Sequence, residues 1–564
     1  MQKICLNSWC QHPFEIYPDE EAFLQKIGFR FGSQVIHPPL PVYCPQCRLK
    51  IRTCHRNERN FYRRPATLTG KEMISIYHEE PIWGQADAVY THDEWNDDKR
   101  DFIEHGRPYD FSRPFFEQFG SLHKAVPLLG SMVIGNENCD FTAGTGYCKN
   151  CYLINSSEYC EDCYYGKLLQ SCKDSVDCSY LYNSELCYEC FSVFKSYNCA
   201  FVAFSTNCRD CLFSWNLNGC SNCCLCSNLH QKQYHFLNEP LSKEEYELRV
   251  REFRSSSAKM EEMCRKWMEL KKTMIHRHAN IVSSENCTGD FIENSRNCLD
   301  CYDLNESQDS RYVIVGVQVK DNYDCSNMYI KPELAYETLG TIETYATAYC
   351  LFVFHSQNLL YCEYCFHCKD CFGCIGLQRK QYCIFNKQYT KEEYESLVPK
   401  IIEQMKTRKE WGLYFPPSLS SFGYNESLAH EYLPLTEKEA RAQGFYWRDI
   451  VEKKPVVSKT IPAESLPDRI EDVPDDVVNW AIVCEATGRP FRLLKQEFDF
   501  YRKQKLPLPH LHPDERYDRR LRLRNPRTLW SRKCGKCGKP IETTYPPERP
   551  EIVYCDSCYL KEVY

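Results

Sequence analysis

Cysteine, aromatic and branched apolar residues recur at a short, regular spacing through two stretches of the chain, residues 139–238 and 287–386. Both stretches open on Glu-Asn-Cys, and the first closes on KQYHFLN where the second closes on KQYCIFN. Cys139 therefore aligns with Cys287, and Asn238 with Asn386, at the same offset of 148 residues. The pattern predicts one structural block that is used twice.

Within the first block the cysteines recur every 24 residues, and serine, which has nearly the same volume, fills the gaps. The three columns are Cys139, Cys163, Cys187 and Cys211; Cys148, Cys172, Ser196 and Cys220; and Cys151, Ser175, Cys199 and Cys223. A period of about 20 to 45 residues is typical of stacked repeats. The short Tyr, Phe, Val and Leu runs lack helical spacing, which favours strands. We therefore predict a mainly β protein with two tandem right-handed parallel β-helix (solenoid) blocks, helical insertions and one 24-residue turn per period.

The side chains of the repeat suggest how the turns stack. Cysteine is predicted to act as a small interior hydrophobe, coil upon coil. A polar column of Asn150, Asp174, Asn198 and Asn222 fits an asparagine ladder at a turn. The second block keeps the period in fragments, such as Cys350 to Cys374.

Two catalytic alternatives use the same residues. An iron–sulfur cluster is one, because five cysteines of the second block run at C-x2-C spacing, although the C-x3-C-P ending of ferredoxins is absent. These are Cys362, Cys365, Cys368, Cys371 and Cys374. The other is a carbohydrate-processing groove that uses the carboxylates of Asp162, Asp177 and Asp210. Each of these precedes a cysteine and should point outward, where an acidic stripe is more often a solvated face.

Both ends of the chain carry cysteine pairs at metal-ligand spacing. Cys534, Cys537, Cys555 and Cys558 form two C-x2-C knuckles separated by a strand-like stretch, which predicts a zinc ribbon at 534–564. Cys5, Cys10, Cys44 and Cys47 predict a treble-clef-like zinc finger at 1–64, in which Pro45 begins a helix.

Each end also carries a decayed copy of the module found at the other end. Shifting by 468 residues places Ala66, Thr69, Thr91 and Glu94 at the ribbon ligand positions, so 65–95 is predicted to be a metal-free ribbon. The finger cysteines correspond to Cys484, Thr487, His512 and Glu515 in a degenerate finger with a basic arm at 481–533. Loss of one site from each copy suggests that zinc staples small modules and does not catalyse.

The remaining segments connect these units. Residues 96–138 are rich in aromatic residues and proline and are predicted to cap the entrance of the first block. A helical insertion is expected at 239–286, with a helix from 242 to 278 that Ser242 and Glu245 cap, and another helix at 387–411. Residues 412–480 are predicted to form a semi-ordered linker with one short helix that Thr436 caps.

Length and composition limit the possible classes of protein. A chain of 564 residues exceeds a single core and implies several domains. Neither a secretory signal nor an apolar run of about 18 residues is present, so no membrane span is expected. With 38 cysteines and no export signal, the chain is predicted to be cytoplasmic, with its thiols reduced or bound to metal.

Two basic windows raise the possibility of nucleic-acid binding. Residues 48–64 hold seven Arg or Lys and one Glu, and residues 512–533 hold eight against three Asp or Glu. The candidate phosphate-binding residues are Arg48, Arg52, Arg56, Arg516, Arg520 and Arg524. The alternative is that these arginines pair with acidic residues elsewhere in a chain whose net charge is -7.

Three segments resemble an uncharacterised cysteine-rich zinc-ribbon and β-repeat protein family of candidate-phyla bacteria. They are CPQCRLKIRTCHRNERNFYRR, YDFSRPFFEQFGSL, and CEATGRPFRLLKQEFDFYRKQKLPLP with the RKCGKCGKPIETTY and YCDSCYLKEVY motifs that follow it. The resemblance covers nearly the whole chain and implies zinc-ribbon modules around repeats, with no established activity. This chain departs from the family pattern at Ala66 and Thr69, where metal-binding residues are expected.

The leading hypothesis is a non-catalytic zinc scaffold whose β-helix faces bind a macromolecular partner. Nucleic-acid binding through the arginine-rich modules is one alternative, and an enzyme with a carbohydrate-active or iron–sulfur groove is another. Zinc is the only cofactor predicted.

Overall fold

Two stacks of short parallel strands form the middle of the chain, in a computed structural model that describes residues 1–82, 88–449 and 455–563. The first block contains the strands Val133–Ile134, Ala143–Gly146, Tyr152–Glu158, Glu161–Gln170, Lys173–Val176, Ser179–Tyr182, Phe191–Phe194, Ala200–Thr206, Leu212–Trp215, Ser221–Cys224, Gln233–Phe236 and Glu239–Pro240. The second contains Ile281–Val282, Gly289–Glu293, Arg296–Leu299, Cys301–Asn305, Gln308–Val317, Lys320–Tyr329, Glu333–Ile342, Tyr345–Ala348, Leu351–Phe354, Gln357–Leu360, Lys369–Phe372, Gln381–Ile384 and Lys387–Gln388. The predicted class, mainly β with two parallel solenoid blocks, is confirmed.

Each coil of the solenoid takes 12 residues, which corrects the predicted 24-residue turn. Ser179 pairs with Phe191, and Phe191 pairs with Ala203. The period of 24 residues in the sequence therefore spans two coils. Cysteine and serine alternate between successive coils at several positions, which hid the shorter repeat.

Every third residue of a coil points inward, so a coil has four sides. Cys148, Cys151, Ile154 and Ser157 are all buried and occupy one coil. The residue before each corner adopts a left-handed backbone, as at Asn150 with φ of 52°. This geometry makes C-x2-C spacing a consequence of adjacent sides of the coil.

The interior thiols donate hydrogen bonds as well as filling space. Cys151 Sγ lies 3.2 Å from the carbonyl oxygen of Lys149 and 3.6 Å from that of Cys160 in the next coil. Ser175, which occupies the same column, donates to Lys173 at 2.9 Å and accepts from the backbone N–H of Cys187 at 3.2 Å. Serine replaces cysteine in these columns because it makes the same bonds in nearly the same volume.

Polar ladders run along the outside of the coils, as the asparagine column predicted. Asn138 donates to Asn150 at 2.9 Å, and Asn198 donates to Asp210 at 2.6 Å. Side-chain amides and carboxylates suit these corners because Asn and Asp tolerate a left-handed backbone better than most residues.

Both blocks end in the same way. In the first block the amide of Asn238 donates to the carbonyl oxygen of Ser227 at 3.0 Å and its Oδ1 accepts from the N–H of Ser227 at 2.9 Å. Asn386 makes the equivalent pair of bonds to Ile375 in the second block. A short antiparallel strand follows each asparagine and closes the sheet edge.

Twelve α-helices and further short elements lie around the blocks within the described residues. The α-helices are Pro18–Lys26, Pro45–Thr53, His92–Trp95, Phe115–Ala125, Lys243–Val250, Ser257–Thr273, Lys391–Thr407, Leu428–Tyr432, Glu437–Ala442, Lys495–Gln504, Pro513–Leu521 and Asp556–Val563. The 3-10 helices are Phe102–His105, Pro417–Leu419, Tyr424–Glu426, Ala463–Ser465, Ile470–Asp472 and Asp475–Asn479. The flanking strands are Gln2–Ile4, Pro13–Glu15, Phe29–Phe31, Gln34–Ile36, Tyr62–Pro65, Glu72–Ser75, Val89–Tyr90, Leu128–Leu129, Ile275–Arg277, Lys459–Pro462, Trp480–Val483, Pro490–Phe491, Trp530–Lys533, Pro540–Thr543 and Ile552–Tyr554. No helix in the described ranges is both long and apolar enough to cross a membrane.

The predicted helix from 242 to 278 is two helices. Ser242 and Glu245 form the expected capping box for Lys243–Val250. The chain then breaks, and Ser256 caps a second helix, Ser257–Thr273, by accepting from the N–H of Lys259. Serine favours this cap over a helix interior, so the Ser255–Ser257 run divides the element.

The helix that precedes each block packs against the other block. Phe115, in the helix before the first block, contacts Tyr361 and Phe372 of the second block, with ring centroids 5.0 and 5.5 Å apart. Trp267, in the helix before the second block, stacks on Trp215 of the first at 4.7 Å. The aromatic segment predicted to cap the first block thus lies against the second.

Residues 412–449 and 455–480 are more ordered than the predicted linker. Tyr424, Ala429 and Val477 are buried, and Thr436 caps the short helix Glu437–Ala442 as expected. Residues 450–454 of the predicted linker, and 83–87 of the predicted metal-free ribbon, lie outside the described residues.

Candidate metal centres and arginine clasps

The front finger, residues 1–64, brings its four predicted ligands together. The strands Gln2–Ile4 and Pro13–Glu15 pair antiparallel and support Cys5 and Cys10 in the turn between them. Cys44 is the N-cap of the helix Pro45–Thr53, and Cys47 lies in its first turn. The Sγ atoms of Cys5 and Cys47 are 3.7 Å apart, as are those of Cys10 and Cys44. All four Sγ atoms lie within 4.8 Å of one another.

The back ribbon, residues 534–564, forms a second four-sulfur set. Cys534 and Cys537 lie between the antiparallel strands Trp530–Lys533 and Pro540–Thr543, and Cys555 and Cys558 follow the strand Ile552–Tyr554. Cys537 Sγ is 3.7 Å from Cys555 Sγ, and the four Sγ atoms lie within 4.8 Å.

Both sulfur sets fit a tetrahedral metal ion. Zinc–sulfur bonds of about 2.3 Å in a tetrahedron place neighbouring sulfurs about 3.8 Å apart. The 3.7 Å separations match that edge length. Among the described residues these two are the groups of three or more His, Cys, Asp or Glu that could hold an ion.

The surrounding backbone favours the thiolate form of these cysteines. The hydrogen bond from Cys47 lowers the pKa of Cys44 to about 5, against the opposing effect of burial. The N–H of Cys44 points at Cys5 Sγ at 3.3 Å, and the N–H of Cys555 points at Cys534 Sγ at 3.2 Å. A helix N-terminus and backbone N–H donors stabilise negative sulfur, which is the form that binds metal.

The two centres differ in exposure. In the front finger Cys5, Cys44 and Cys47 are buried and Cys10 is half-buried. In the back ribbon Cys537 is exposed and Cys558 is half-buried. Solvent and chelators therefore reach the back set more directly.

The front ribbon, residues 65–95, keeps the backbone of a knuckle without sulfur. Ala66 N–H bonds the carbonyl of Lys71 at 2.8 Å, and Gly70 N–H bonds that of Ala66 at 2.9 Å. The metal-ligand knuckle of the back ribbon repeats both bonds, from Cys534 N–H to Lys539 and from Gly538 N–H to Cys534. This match supports the sequence alignment that placed Ala66 at a former ligand position.

In the back finger, residues 481–533, the former ligand position His512 has a different role. Its Nδ1 accepts from the N–H of Asp514 at 3.1 Å and caps the helix Pro513–Leu521. Cys484 is buried beside it, and its N–H bonds the carbonyl of Arg489 at 2.9 Å.

The helix of each finger is anchored to a solenoid block by two arginines. In the front finger Arg48 lies 2.7 Å from Asp324, and Arg52 lies 3.0 Å from Glu337, both in the second block. Arg48 also lies 3.5 Å from Glu20 of the finger itself. We call this buried group of five residues the front clasp.

An equivalent back clasp joins the back finger to the first block. Arg516 and Arg520 both bind Asp177, and Arg520 lies 2.8 Å from it. Arg520 also lies 3.6 Å from Glu189, and Arg516 lies 3.3 Å from Glu497 of the finger. The five residues correspond one to one with those of the front clasp in the order Glu20, Arg48, Arg52, Asp324, Glu337 and Glu497, Arg516, Arg520, Asp177, Glu189.

The clasps differ in charge balance. In the back clasp Arg519 also binds Glu189, at 2.5 Å, whereas its counterpart in the front finger is Ile51. The front clasp therefore has three carboxylates for two arginines. Burial raises the pKa of Glu20 and of Glu337 to about 7, although the neighbouring arginines oppose the shift.

This arrangement corrects the prediction of an exposed basic face for nucleic acid. The side chains of Arg48, Arg52, Arg516 and Arg520 are at most 2 % exposed and are paired with carboxylates. The two remaining candidates, Arg56 and Arg524, bind Glu58 and Asp303. These six guanidinium groups are not on a surface that a phosphate backbone could approach, so the alternative of pairing within the chain describes them.

The catalytic alternatives lose their residues in the same way. Asp177, a carboxylate of the proposed carbohydrate groove, is fully buried under the back finger. In the proposed iron–sulfur run, Cys362 and Cys365 point from adjacent sides of a coil and donate to carbonyls of the next coil at 3.5 Å. The thiols of this run do not converge on one point in the described structure.

Sequence reasoning missed the acidic half of both clasps. Asp177 and Glu189 lie at the same corner of successive coils, 12 residues apart, and Asp324 and Glu337 are their counterparts. A 12-residue period would have aligned each pair opposite two arginines one helical turn apart.

Comparison with known proteins adds no family. No protein-family model matches the chain, and no curated protein matches it. A crystal structure of a candidate acetyltransferase from Desulfovibrio desulfuricans G20 aligns with 43 % of this chain and 65 % of that one, less than two thirds of its length. The alignment has 11 % identity and a TM-score of 0.11, and it carries no argument about function.

Proposed function

We propose that this protein is a non-catalytic zinc-binding scaffold, in which zinc at both four-cysteine centres stabilises the modules that enclose two solenoid blocks. The observation that carries the proposal is the tetrahedral spacing of the sulfurs, 3.7 Å along the described edges of both sets. Four thiolates form a closed site with no position for water or substrate, which is typical of structural zinc.

The decayed copies support a structural role for the metal. The front ribbon keeps its knuckle with Ala66 at a former ligand position, and the back finger keeps its helix with His512 as a cap. Each module therefore folds without an ion where other contacts stabilise it. A catalytic ion has no such substitute.

The partner of the scaffold is proposed to be a macromolecule that binds the uncovered solenoid faces. One such face of the first block carries alternating charges, with Lys149 3.6 Å from Glu137 and Lys173 3.1 Å from Glu161. A reducing, cytoplasmic location is part of the proposal, because the cysteines carry no disulfide and the interior thiols act as hydrogen-bond donors. Membership of the cysteine-rich bacterial family remains a proposal that rests on the three sequence segments.

Metal analysis of the purified full chain tests the zinc assignment. We expect two zinc ions and no iron per chain, and one zinc ion after Cys44→Ser or Cys555→Ser. Cys264→Ser is the matched control, because this half-buried cysteine lies in a helix away from both centres, and it should retain two ions. Iron in the wild-type chain, or two ions in both ligand variants, would refute the assignment. Affinity capture from the native lysate, with the charged face altered by Lys149→Glu and Lys173→Glu, then tests the partner surface.

A further inference from the structure

The back ribbon covers the entrance of the second block. Its strand Ile552–Tyr554 pairs in parallel with Ile275–Arg277, the strand that leads into that block. Thr543 Oγ1 donates to the carbonyl of His278 at 2.7 Å, and Thr544 Oγ1 donates to the buried carboxylate of Asp290 at 3.0 Å. The metal module is thus bonded directly to the first coil.

The front ribbon covers the entrance of the first block in the same way. Its strand Val89–Tyr90 pairs in parallel with Leu128–Leu129. Ser75 Oγ donates to the carbonyl of Gly130 at 3.0 Å, and these residues are the counterparts of Thr543 and His278. One cap has four cysteine ligands and the other has none.

Different interactions stabilise the two caps. The core of the front ribbon contains Ile76, Tyr77, Val89, Leu128, Ala143 and Phe422. Tyr77 stacks on Phe422 with ring centroids 5.2 Å apart. The buried core of the back ribbon is Cys534, Ile541, Val553 and Cys555, in which two of the four residues are ligands. Without an ion, two apolar side chains are too little to hold a module of this size.

The front finger would survive loss of its own ion. Its helix Pro45–Thr53 is bound to the second block through Arg48 and Arg52, and Ile51 belongs to the main apolar core. In the back ribbon the ligands Cys537 and Cys558 are the accessible ones. The back centre is therefore both the easier ion to remove and the one on which more structure depends.

We propose that the back centre makes the back ribbon a metal-sensitive cap, which opens when its ion is lost and uncovers the strand Ile275–Arg277 at the entrance of the second block. The front ribbon keeps the first block covered whatever the metal supply. This inference rests on the proposed zinc function, and it adds a regulatory role that the front centre does not share.

Hydrogen exchange of the full-length protein tests the cap. Cys558→Ser and Cys10→Ser each remove the least buried kind of ligand from one centre and should each leave one zinc ion. In Cys558→Ser we expect exchange at 275–277 to be about tenfold faster, since local opening sets the exchange rate. In Cys10→Ser the same amides should exchange at the wild-type rate, and 128–129 should be unchanged in both variants.

A chelator titration of the wild-type chain gives the same test without substitution. EDTA should remove one zinc ion first, together with the protection of 275–277 and not that of 128–129. Protection of 275–277 that persists after loss of the back ion overturns the cap, as does equal loss at both entrances. A wild-type chain that binds no zinc would instead refute the proposed function itself, so the two failures are distinct.

Discussion

The guanidinium group of Arg52 lies 3.0 Å from the carboxylate of Glu337, which is 285 residues away in the sequence. Arg52 is 1 % exposed and Glu337 is 4 % exposed, so the pair lies inside the protein. The pair joins the helix that follows the front metal ligands to the second solenoid block. Its counterpart, Arg520 with Glu189 and Asp177, joins the back finger to the first block.

Removing one partner of this pair should destabilise the fold strongly. We expect Arg52→Ala to lower the free energy of unfolding by about 3–5 kcal/mol, because it leaves a buried carboxylate without its counter-ion. Arg63→Ala breaks the exposed pair with Glu72 and should cost less than about 1 kcal/mol. Urea unfolding followed by circular dichroism measures both. Similar losses in the two variants would show that the clasp contributes no more than a surface pair.

The front clasp should also make stability depend on pH. Burial raises the pKa of Glu337 to about 7 from an ordinary value of 4.5, so the folded protein binds a proton more tightly than the unfolded chain between these values. The contribution of Glu337 to stability is therefore present at low pH and declines as pH rises from 4.5 toward 7.

The comparison with Glu337→Gln isolates this effect. The amide cannot titrate, so the difference in unfolding midpoint between wild type and variant should change in favour of the variant as pH rises through this window. Glu72→Gln, at an exposed position, should follow the wild type. A difference between wild type and Glu337→Gln that is constant with pH would contradict the assigned ionisation.

The interior thiols should tolerate serine better than a larger apolar residue. Cys208 Sγ lies 3.3 Å from the carbonyl of Thr206, and its own N–H donates to Ser196 Oγ at 3.0 Å in the previous coil. Cys208→Ser keeps the donor and should change the free energy of unfolding by less than about 1 kcal/mol. Cys208→Val loses the donor and adds volume, at a cost of about 1–3 kcal/mol.

Thermal unfolding of both variants at one protein concentration distinguishes the two roles of the thiol. If Cys208→Val were as stable as the wild type, the column would be simple apolar packing. Reversal of the predicted order would contradict the hydrogen-bonding role drawn from Ser175 and Ser196.

The parts of the fold that depend on local spacing could be predicted from the sequence. The C-x2-C knuckles of Cys534 and Cys555 indicate a sulfur site because four ligands must reach one ion from two short turns. The cysteine columns indicate a solenoid because stacked coils repeat their interior residues. The coil length was wrong because Cys151 and Ser175 fill one column interchangeably, which doubled the period.

The interactions between distant segments could not be predicted in this way. The arginines of Pro45–Thr53 have the spacing of a solvated helix face, and only the fold brings Asp324 and Glu337 to them. A solenoid corner that carries Asp or Glu looks the same in sequence whether water or a guanidinium group covers it. Burial of charge is therefore the feature that sequence reasoning missed on both sides of each clasp.

X-ray absorption at the zinc edge of the purified full-length protein tests the central claim most directly. That claim is that the terminal cysteines bind zinc and that the cysteines between them belong to the solenoid interior. We predict two zinc ions per chain, each with four sulfur neighbours at about 2.3 Å and no lighter ligand. Additional thiolate-bound metal held by the central cysteines, or nitrogen and oxygen ligands around the two zinc ions, would contradict it.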